Sequence, residues 1–192
     1  MTSPTEARAN VAAFTAMRGG RSRVNDFEQL ATPAGLGWLG VAIAGVWEMA
    51  GGAWPYLLFA ITLMLAAALS VAVAWSGIRE TDRATLRRCG LGIGLLAVAS
   101  TVVAWALPLW MTLLAITFAV WAVAAPRALR PGLATLAAAQ LVGMGATIVA
   151  IIAEVGAQDS YGDYPFAFGV GLLVTGNGSA LGLAVLARSA RN

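Results

Sequence analysis

Six long, mostly apolar runs constrain this chain more than any other feature of its sequence. A helix needs about 20 apolar residues to cross a hydrocarbon layer about 30 Å thick. The third and fourth runs are short, but each run is too long and too uncharged to be a core helix of a soluble protein. The sequence therefore predicts an all-α polytopic membrane protein with six transmembrane helices in three hairpins. The predicted spans are 35–53, 55–77, 90–107, 108–125, 132–154 and 165–187.

The basic residues predict how these spans are oriented. All 12 basic residues are arginines, and none lies inside an apolar run. They occupy the N-terminal arm, the 78–89 and 126–131 connections and the C-terminal tail, whereas the other three connections contain none. The positive-inside rule then places both termini in the cytoplasm. Because the basic residues are all arginine and alanine is abundant, which is typical of a GC-rich bacterium, we expect an integral protein of a bacterial plasma membrane.

The chain divides into three predicted parts. Residues 1–33 form a cytoplasmic N-terminal arm, 34–188 form the six-helix transmembrane domain, and 189–192 form a cytoplasmic tail. A capping box at residues 3–6, with proline at the first helical position, predicts a short helix in the arm. This helix either lies on the inner membrane surface as an amphipathic segment or belongs to a loosely ordered arm.

Composition excludes several classes of function. Charged residues make up 11% of the chain, against about 25% in a soluble domain. The chain has no histidine and a single cysteine, Cys89, which excludes zinc hydrolases, haem ligation, serine–histidine triads and disulfide frameworks. No basic groove interleaved with aromatic residues appears, so we expect no nucleic-acid partner. We also expect no metal and no cofactor.

Glu48 is the first candidate for a functional residue, because an ionisable group inside a span is costly. It lies on a small-residue stripe with Gly40, Ala44 and Gly52, which is the kind of face that packs against other helices. The spans contain no arginine that could pair with it. The sequence therefore predicts a buried carboxyl that carries its proton at pH 7. The alternative is a carboxylate that reaches the outer headgroups.

The last two spans carry further polar side chains. Span five contains Gln140, Thr147 and Glu154, and span six contains Thr175, Asn177 and Ser179. The three residues of span five are spaced by seven, which is nearly two helical turns, so they share one face. Asn177 lies near the predicted midplane, where an amide costs several kcal/mol unless its hydrogen bonds are satisfied. These residues either bond neighbouring helices together or contact a ligand.

Four tryptophans lie near predicted span ends or beside a candidate residue. Trp54, Trp105 and Trp110 are at outer span ends, where an aromatic belt is the ordinary explanation. Trp47 adjoins Glu48. Aromatic faces stabilise cations, so tryptophan beside a neutral acid suits carbocation chemistry, and it equally suits ordinary packing.

Two fragments of the sequence resemble a known family. One is WEMAGG at 47–52, followed by Trp54-Pro55, and the other is LVTGNGS at 173–179, with Arg188 at the inner end of the same span. Together they are similar to the membrane-integral terpene cyclases of fungal meroterpenoid and indole-terpenoid pathways and their actinobacterial relatives. The resemblance would cover about residues 36–188. The family usually has seven spans and a second acid where this chain has Asn177.

The resemblance implies a chemistry and a set of site residues. Glu48 would be the general acid that protonates a terminal epoxide or alkene of a prenyl chain, and Asn177 would hydrogen-bond that acid or the substrate oxygen. The partner would be a hydrophobic prenylated small molecule that reaches the site from the lipid bilayer. Beyond the positions whose roles the resemblance implies, we expect substrate contacts from Trp47, Trp105, Gln140, Thr147, Glu154, Thr175 and Ser179.

Two other classes of function remain open from the residues alone. A small transporter or binding protein would use the same polar side chains as a site in the middle of the membrane. An accessory or structural subunit would use its small-residue stripes for assembly, which also allows a homo-oligomer. Turnover of prenylated compounds by membranes that contain the protein would distinguish the enzyme from the other two classes.

Overall fold

A computed structural model describes residues 27, 29–52, 56–78, 83–101, 107–157 and 165–191. These ranges form six helices joined by turns and contain no strand. The bounds are α1 (Gln29–Met49), α2 (Tyr56–Gly77), α3 (Ala84–Ser100), α4 (Leu107–Ala124), α5 (Arg130–Ala157) and α6 (Pro165–Arg191). The all-helical prediction is confirmed.

Four of the helices, α1, α2, α5 and α6, are long and apolar enough to cross a membrane. The apolar part of α4, Leu109–Ala124, is shorter, and α3 has 17 residues and two arginines in its first turns. The fold is therefore that of an integral membrane protein. The helices from α2 onward follow the predicted spans closely, although α3 begins six residues before its predicted span and ends seven residues before that span's end.

The first span differs from its prediction at both ends. Helix α1 includes residues 29–33, which the sequence predicts to be part of the N-terminal arm, and it ends at Met49 instead of residue 53. The remainder of the predicted arm and the predicted tail residue 192 lie outside the described residues, apart from Phe27. The short helix predicted within the arm therefore remains a prediction.

A glycine turn ends α1 early. Gly51 has φ of 80°, the left-handed conformation that favours glycine. The N–H of Gly51 donates to the carbonyl of Glu48 at 3.0 Å, and the N–H of Gly52 donates to the carbonyl of Trp47 at 3.0 Å. This pair of bonds is the Schellman motif, which satisfies the last carbonyls of a helix. The WEMAGG fragment is therefore also a helix-termination signal.

The six helices form a closed ring in chain order. Each of the helices from α2 to α6 packs against the next one, and α5 with α6 is the most extensive pair. Helix α1 completes the ring, because Gly37 lies against Ala66 of α2 and Gly45 lies against the backbone at Gly169 of α6. A Cβ at Gly45 would lie only 2.5 Å from the carbonyl oxygen of Gly169, so α1 and α6 are almost in backbone contact there.

Large aromatic side chains fill the interior of the ring. Trp38, Trp110, Phe118 and Trp121 have no exposed surface. Trp38 and Trp110 stack with ring centroids 6.4 Å apart, and the indole N–H of Trp38 donates to the Ser70 hydroxyl at 2.7 Å. The aromatic-belt interpretation is therefore wrong for Trp110. Its ring extends toward Trp38 of α1, which a span boundary drawn from apolar runs cannot indicate.

The described arginines gather at the end of the ring where α2 and α4 finish and α3 and α5 begin, which we call the arginine end. Two of them bond carbonyls at the end of α4 and just after it. Arg83 donates to the carbonyl of Val123 at 2.9 Å, and Arg130 donates to the carbonyl of Ala125 at 3.2 Å. Cationic groups at a helix C-terminus satisfy carbonyls that lack a helical partner and interact favourably with the helix dipole.

Candidate functional site

The buried polar residues of α5 and α6 face each other. Gln140 and Ser179 are both fully buried, and the Gln140 amide donates to the Ser179 hydroxyl at 2.7 Å. Each helix therefore presents one polar side chain to the other in the middle of an apolar environment. A bond of this kind between membrane helices stabilises their association by about 0.6 kcal/mol, and at most by about 1.7 kcal/mol.

Two glycine–threonine pairs lock the same interface. The Thr175 hydroxyl of α6 covers Gly143 of α5, and the Thr147 hydroxyl of α5 covers Gly171 of α6. The spacing from glycine to threonine is four residues in both helices, so the two antiparallel helices interlock reciprocally. The glycines let the backbones approach closely, and the threonines fill the space above them.

Two polar atoms in this interface are not satisfied by the described residues. The Gln140 side-chain oxygen and the Thr175 hydroxyl are buried without a hydrogen-bond partner there. By contrast, the Thr147 hydroxyl donates to the carbonyl of Gly143 at 2.9 Å. A buried polar group without a partner costs free energy. The interface is therefore polar but only partly satisfied.

Glu154 lies at the opposite end of α5 from the arginines and contacts the start of α6. Its carboxylate accepts a hydrogen bond from the backbone N–H of Ala167 at 3.2 Å. Ala167 is in the first turn of α6, where the N–H groups lack helical partners and the helix dipole favours negative charge. The contact that the structure gives Glu154 is thus a helix cap.

Glu48 is half-buried near the end of α1. Its backbone is part of the Schellman turn, and the neighbouring Trp47 indole folds over Gly52. Trp47 itself remains 56% exposed. The predicted protonation of Glu48 at pH 7 stays a prediction. Trp54 and Trp105 lie outside the described residues.

Asn177 has an exposed side chain on the outward face of α6. Its amide donates to the carbonyl of Leu173, one turn earlier, at 2.9 Å. It is 11 residues beyond Phe166, the first residue of the apolar span of α6, and hence about 16 Å from that end. This depth is close to the midplane of a bilayer. The other exposed polar side chains in the described ranges lie near a helix end.

The structure places Glu48 and Asn177 at different levels of the bundle. Gly169 of α6 contacts Met49, the residue next to Glu48. Asn177 is eight residues further along α6, which corresponds to about 12 Å. The Asn177 side chain also faces away from α5, toward which Thr175 and Ser179 point. The described residues therefore do not bring the two candidate catalytic side chains together.

Sequence reasoning did not identify a groove between α1 and α6. The two helices are in close contact near Gly45 and Gly169 and leave a groove of about 270 Å³ toward the arginine end. Its walls are almost entirely apolar and include one glycine and four alanines. They comprise Ala31, Thr32, Gly35, Leu36, Leu39, Ala180, Leu183, Ala184 and Ala187. The only signal in the sequence is the recurrence of small residues every three to five positions in both helices.

The described part of the chain contains no group of three histidine, cysteine, aspartate or glutamate residues that could hold a metal ion.

Comparisons with known proteins do not assign the chain to a family. No family model, no curated protein and no solved structure matches it. The fold and the helix composition define an integral membrane protein.

Proposed function

We propose that all six helices cross the membrane and that both termini are cytoplasmic. The 17 residues of α3 and the 18 residues of α4 extend over about 26 Å, slightly less than the hydrocarbon thickness. The arginine end would face the cytoplasm, because positive charge is retained on that side. The arginine-only, alanine-rich composition supports a bacterial plasma membrane as the location.

Cysteine accessibility tests this topology. In a Cys89→Ser background, a membrane-impermeant thiol reagent added to intact cells should label Ser160→Cys and should not label Thr85→Cys. Thr85 lies in the first turn of α3 at the arginine end, whereas Ser160 belongs to the predicted outer connection. Labelling of both variants after the cells are opened serves as the control. The reverse pattern in intact cells would contradict the proposed orientation.

We propose that the protein is a membrane scaffold that associates laterally with another transmembrane protein through the outward face of α6. The observation that carries this proposal is the exposed Asn177 amide near the midplane. Hydrocarbon offers an amide no hydrogen-bond partner, and Asn and Gln in membrane helices commonly bond across helices. A second transmembrane segment at this position would supply the hydrogen-bond partners that lipid cannot provide.

The other polar residues of the spans support the same interpretation. Gln140, Thr147, Thr175 and Ser179 contact the neighbouring helix, and Glu154 caps α6. Their positions are explained by helix packing without a substrate. Asn177→Leu should therefore weaken lateral association by about 3- to 16-fold, the equivalent of one interhelical hydrogen bond. The substitution should leave the free energy of unfolding of the bundle almost unchanged, because the Asn177 side chain is exposed.

A second candidate function is acid-initiated cyclisation of a prenyl or epoxy-prenyl chain. The observation in its favour is that Glu48, the sequence neighbour of Trp47, is half-buried at one end of the helix ring. A carboxylic acid next to an aromatic face is a suitable arrangement for protonating an alkene or epoxide and stabilising the resulting cation. In this candidate Asn177 would not contact Glu48 directly, and the decisive residue is Glu48.

A further inference from the structure

We propose that the partner at the outward face of α6 is a second copy of this chain, in a two-fold dimer whose axis runs along the membrane normal. The inference rests on the proposed scaffold function and names its partner.

The Asn177 amide can form more hydrogen bonds than the one it makes within α6. One amide N–H donates to the carbonyl of Leu173. The side-chain oxygen and the second N–H meet no hydrogen-bond partner among the described residues. The amide thus offers one donor and one acceptor at the surface of the bundle. A partner that satisfies both must itself present an acceptor and a donor, and another asparagine amide does so.

Symmetry makes a second copy the simplest partner for this amide. Two copies inserted with the same orientation place Asn177 at the same depth, and a two-fold axis along the membrane normal brings equivalent surfaces together. An unrelated transmembrane protein would need a polar side chain matched to this depth by its own sequence. The Asn177 amide of one copy can therefore pair with the Asn177 amide of a second copy, and no other polar residue is needed.

The surface next to Asn177 has the shape that a neighbouring helix needs. The groove of about 270 Å³ begins at Ala180, within one turn of Asn177, and continues along Ala184 and Ala187. Gly35 lines the opposite wall. Small residues at such positions allow the backbones of two membrane helices to approach closely. Leu181, which is 60% exposed and one turn from Asn177, is the side chain that each copy would place against its partner.

Disulfide cross-linking at Leu181 tests the dimer. In a Cys89→Ser background, Leu181→Cys should form a covalent dimer under mild oxidation in liposomes that contain only this protein. The matched control is Leu95→Cys on α3, whose leucine is 58% exposed and lies away from α6. It should remain monomeric. Equal cross-linking of the two variants, or none at Leu181→Cys, would overturn the proposed interface.

Energy transfer between labelled copies measures the role of Asn177. Dilution of the protein with lipid should show a dissociation constant that rises by about 3- to 16-fold in Asn177→Leu. Asn177→Gln should restore most of the affinity, because it keeps the amide. A dissociation constant that Asn177→Leu leaves unchanged would overturn the proposal. Detergent unfolding of each variant shows whether the bundle itself is intact, and Asn177→Ala replaces Asn177→Leu if the latter does not fold.

These experiments distinguish the dimer proposal from the scaffold proposal on which it rests. If the purified protein is monomeric in liposomes but a cross-linker at residue 181 captures a different membrane protein in native membranes, the dimer is overturned and the scaffold stands. If residue 181 reaches neither a second copy nor another protein, both proposals fail. A groove that holds only lipid would give this last result.

Discussion

Gly176→Val should destabilise the bundle by about 3 kcal/mol or more, at the upper end of the cost of overpacking a close contact. A Cβ at Gly176 would lie 2.6 Å from the carbonyl oxygen of Trp38 and 2.7 Å from the backbone nitrogen of Ala42. Both neighbours are backbone atoms of α1, which cannot rotate away as a side chain can. The substitution therefore has to force α1 and α6 apart.

Gly145→Val is the matched control for this prediction. Gly145 is also in the middle of a helix, but a Cβ there would meet nothing within 4 Å. Its effect on the free energy of unfolding should stay within about 0.5 kcal/mol. Both variants can be compared by titration with a denaturing detergent, followed by circular dichroism. Equal losses would show that α1 and α6 do not approach as closely as described.

Glu48→Gln should reduce any prenyl cyclisation by about 10²- to 10⁴-fold, the contribution of a general acid. Glutamine keeps the shape and hydrogen bonding of glutamate but cannot deliver the proton. The assay is incubation of membranes with prenylated and epoxy-prenylated compounds, followed by mass spectrometry and NMR analysis of the isomers. Asn177→Asp should keep the activity, because the exposed Asn177 side chain does not contact Glu48.

Glu154→Gln is the control that removes a different carboxyl group of the bundle. Glu154 caps α6 through Ala167, so its substitution should lower stability and leave turnover per folded protein unchanged. If the Glu48→Gln variant retains turnover, Glu48 is not the general acid. Absence of cyclised products from membranes with the native chain would remove the second candidate function altogether.

The positions of the helices were largely predictable, because apolar runs of this length have few other structures available to them. The end of α1 was not predicted, although its signal was present. Gly51 and Gly52 follow the last helical residues, and only the left-handed φ of Gly51 shows that they terminate the helix there. The apolar run itself continues beyond this point, so composition alone extends the span too far.

The grouping of Thr175, Asn177 and Ser179 shows what the sequence could and could not provide. Thr175 and Ser179 are four residues apart and share a face, whereas Asn177 is two residues from each and points the other way. Helical geometry alone could have separated them. The contacts of Thr175 with Gly143 and of Ser179 with Gln140 required the register between α5 and α6, which apolar periodicity does not fix.

The proposed contact of α6 with a partner protein is tested most directly by photo-cross-linking in native membranes. A photoreactive amino acid at position 181 should give covalent protein adducts, and the same group at position 95 should give few. Both leucines are about equally exposed, at 60% and 58%. Addition of Asn177→Leu should lower the adduct yield at position 181. Equal yields at the two positions, or a yield that Asn177→Leu leaves unchanged, would contradict lateral association through this face.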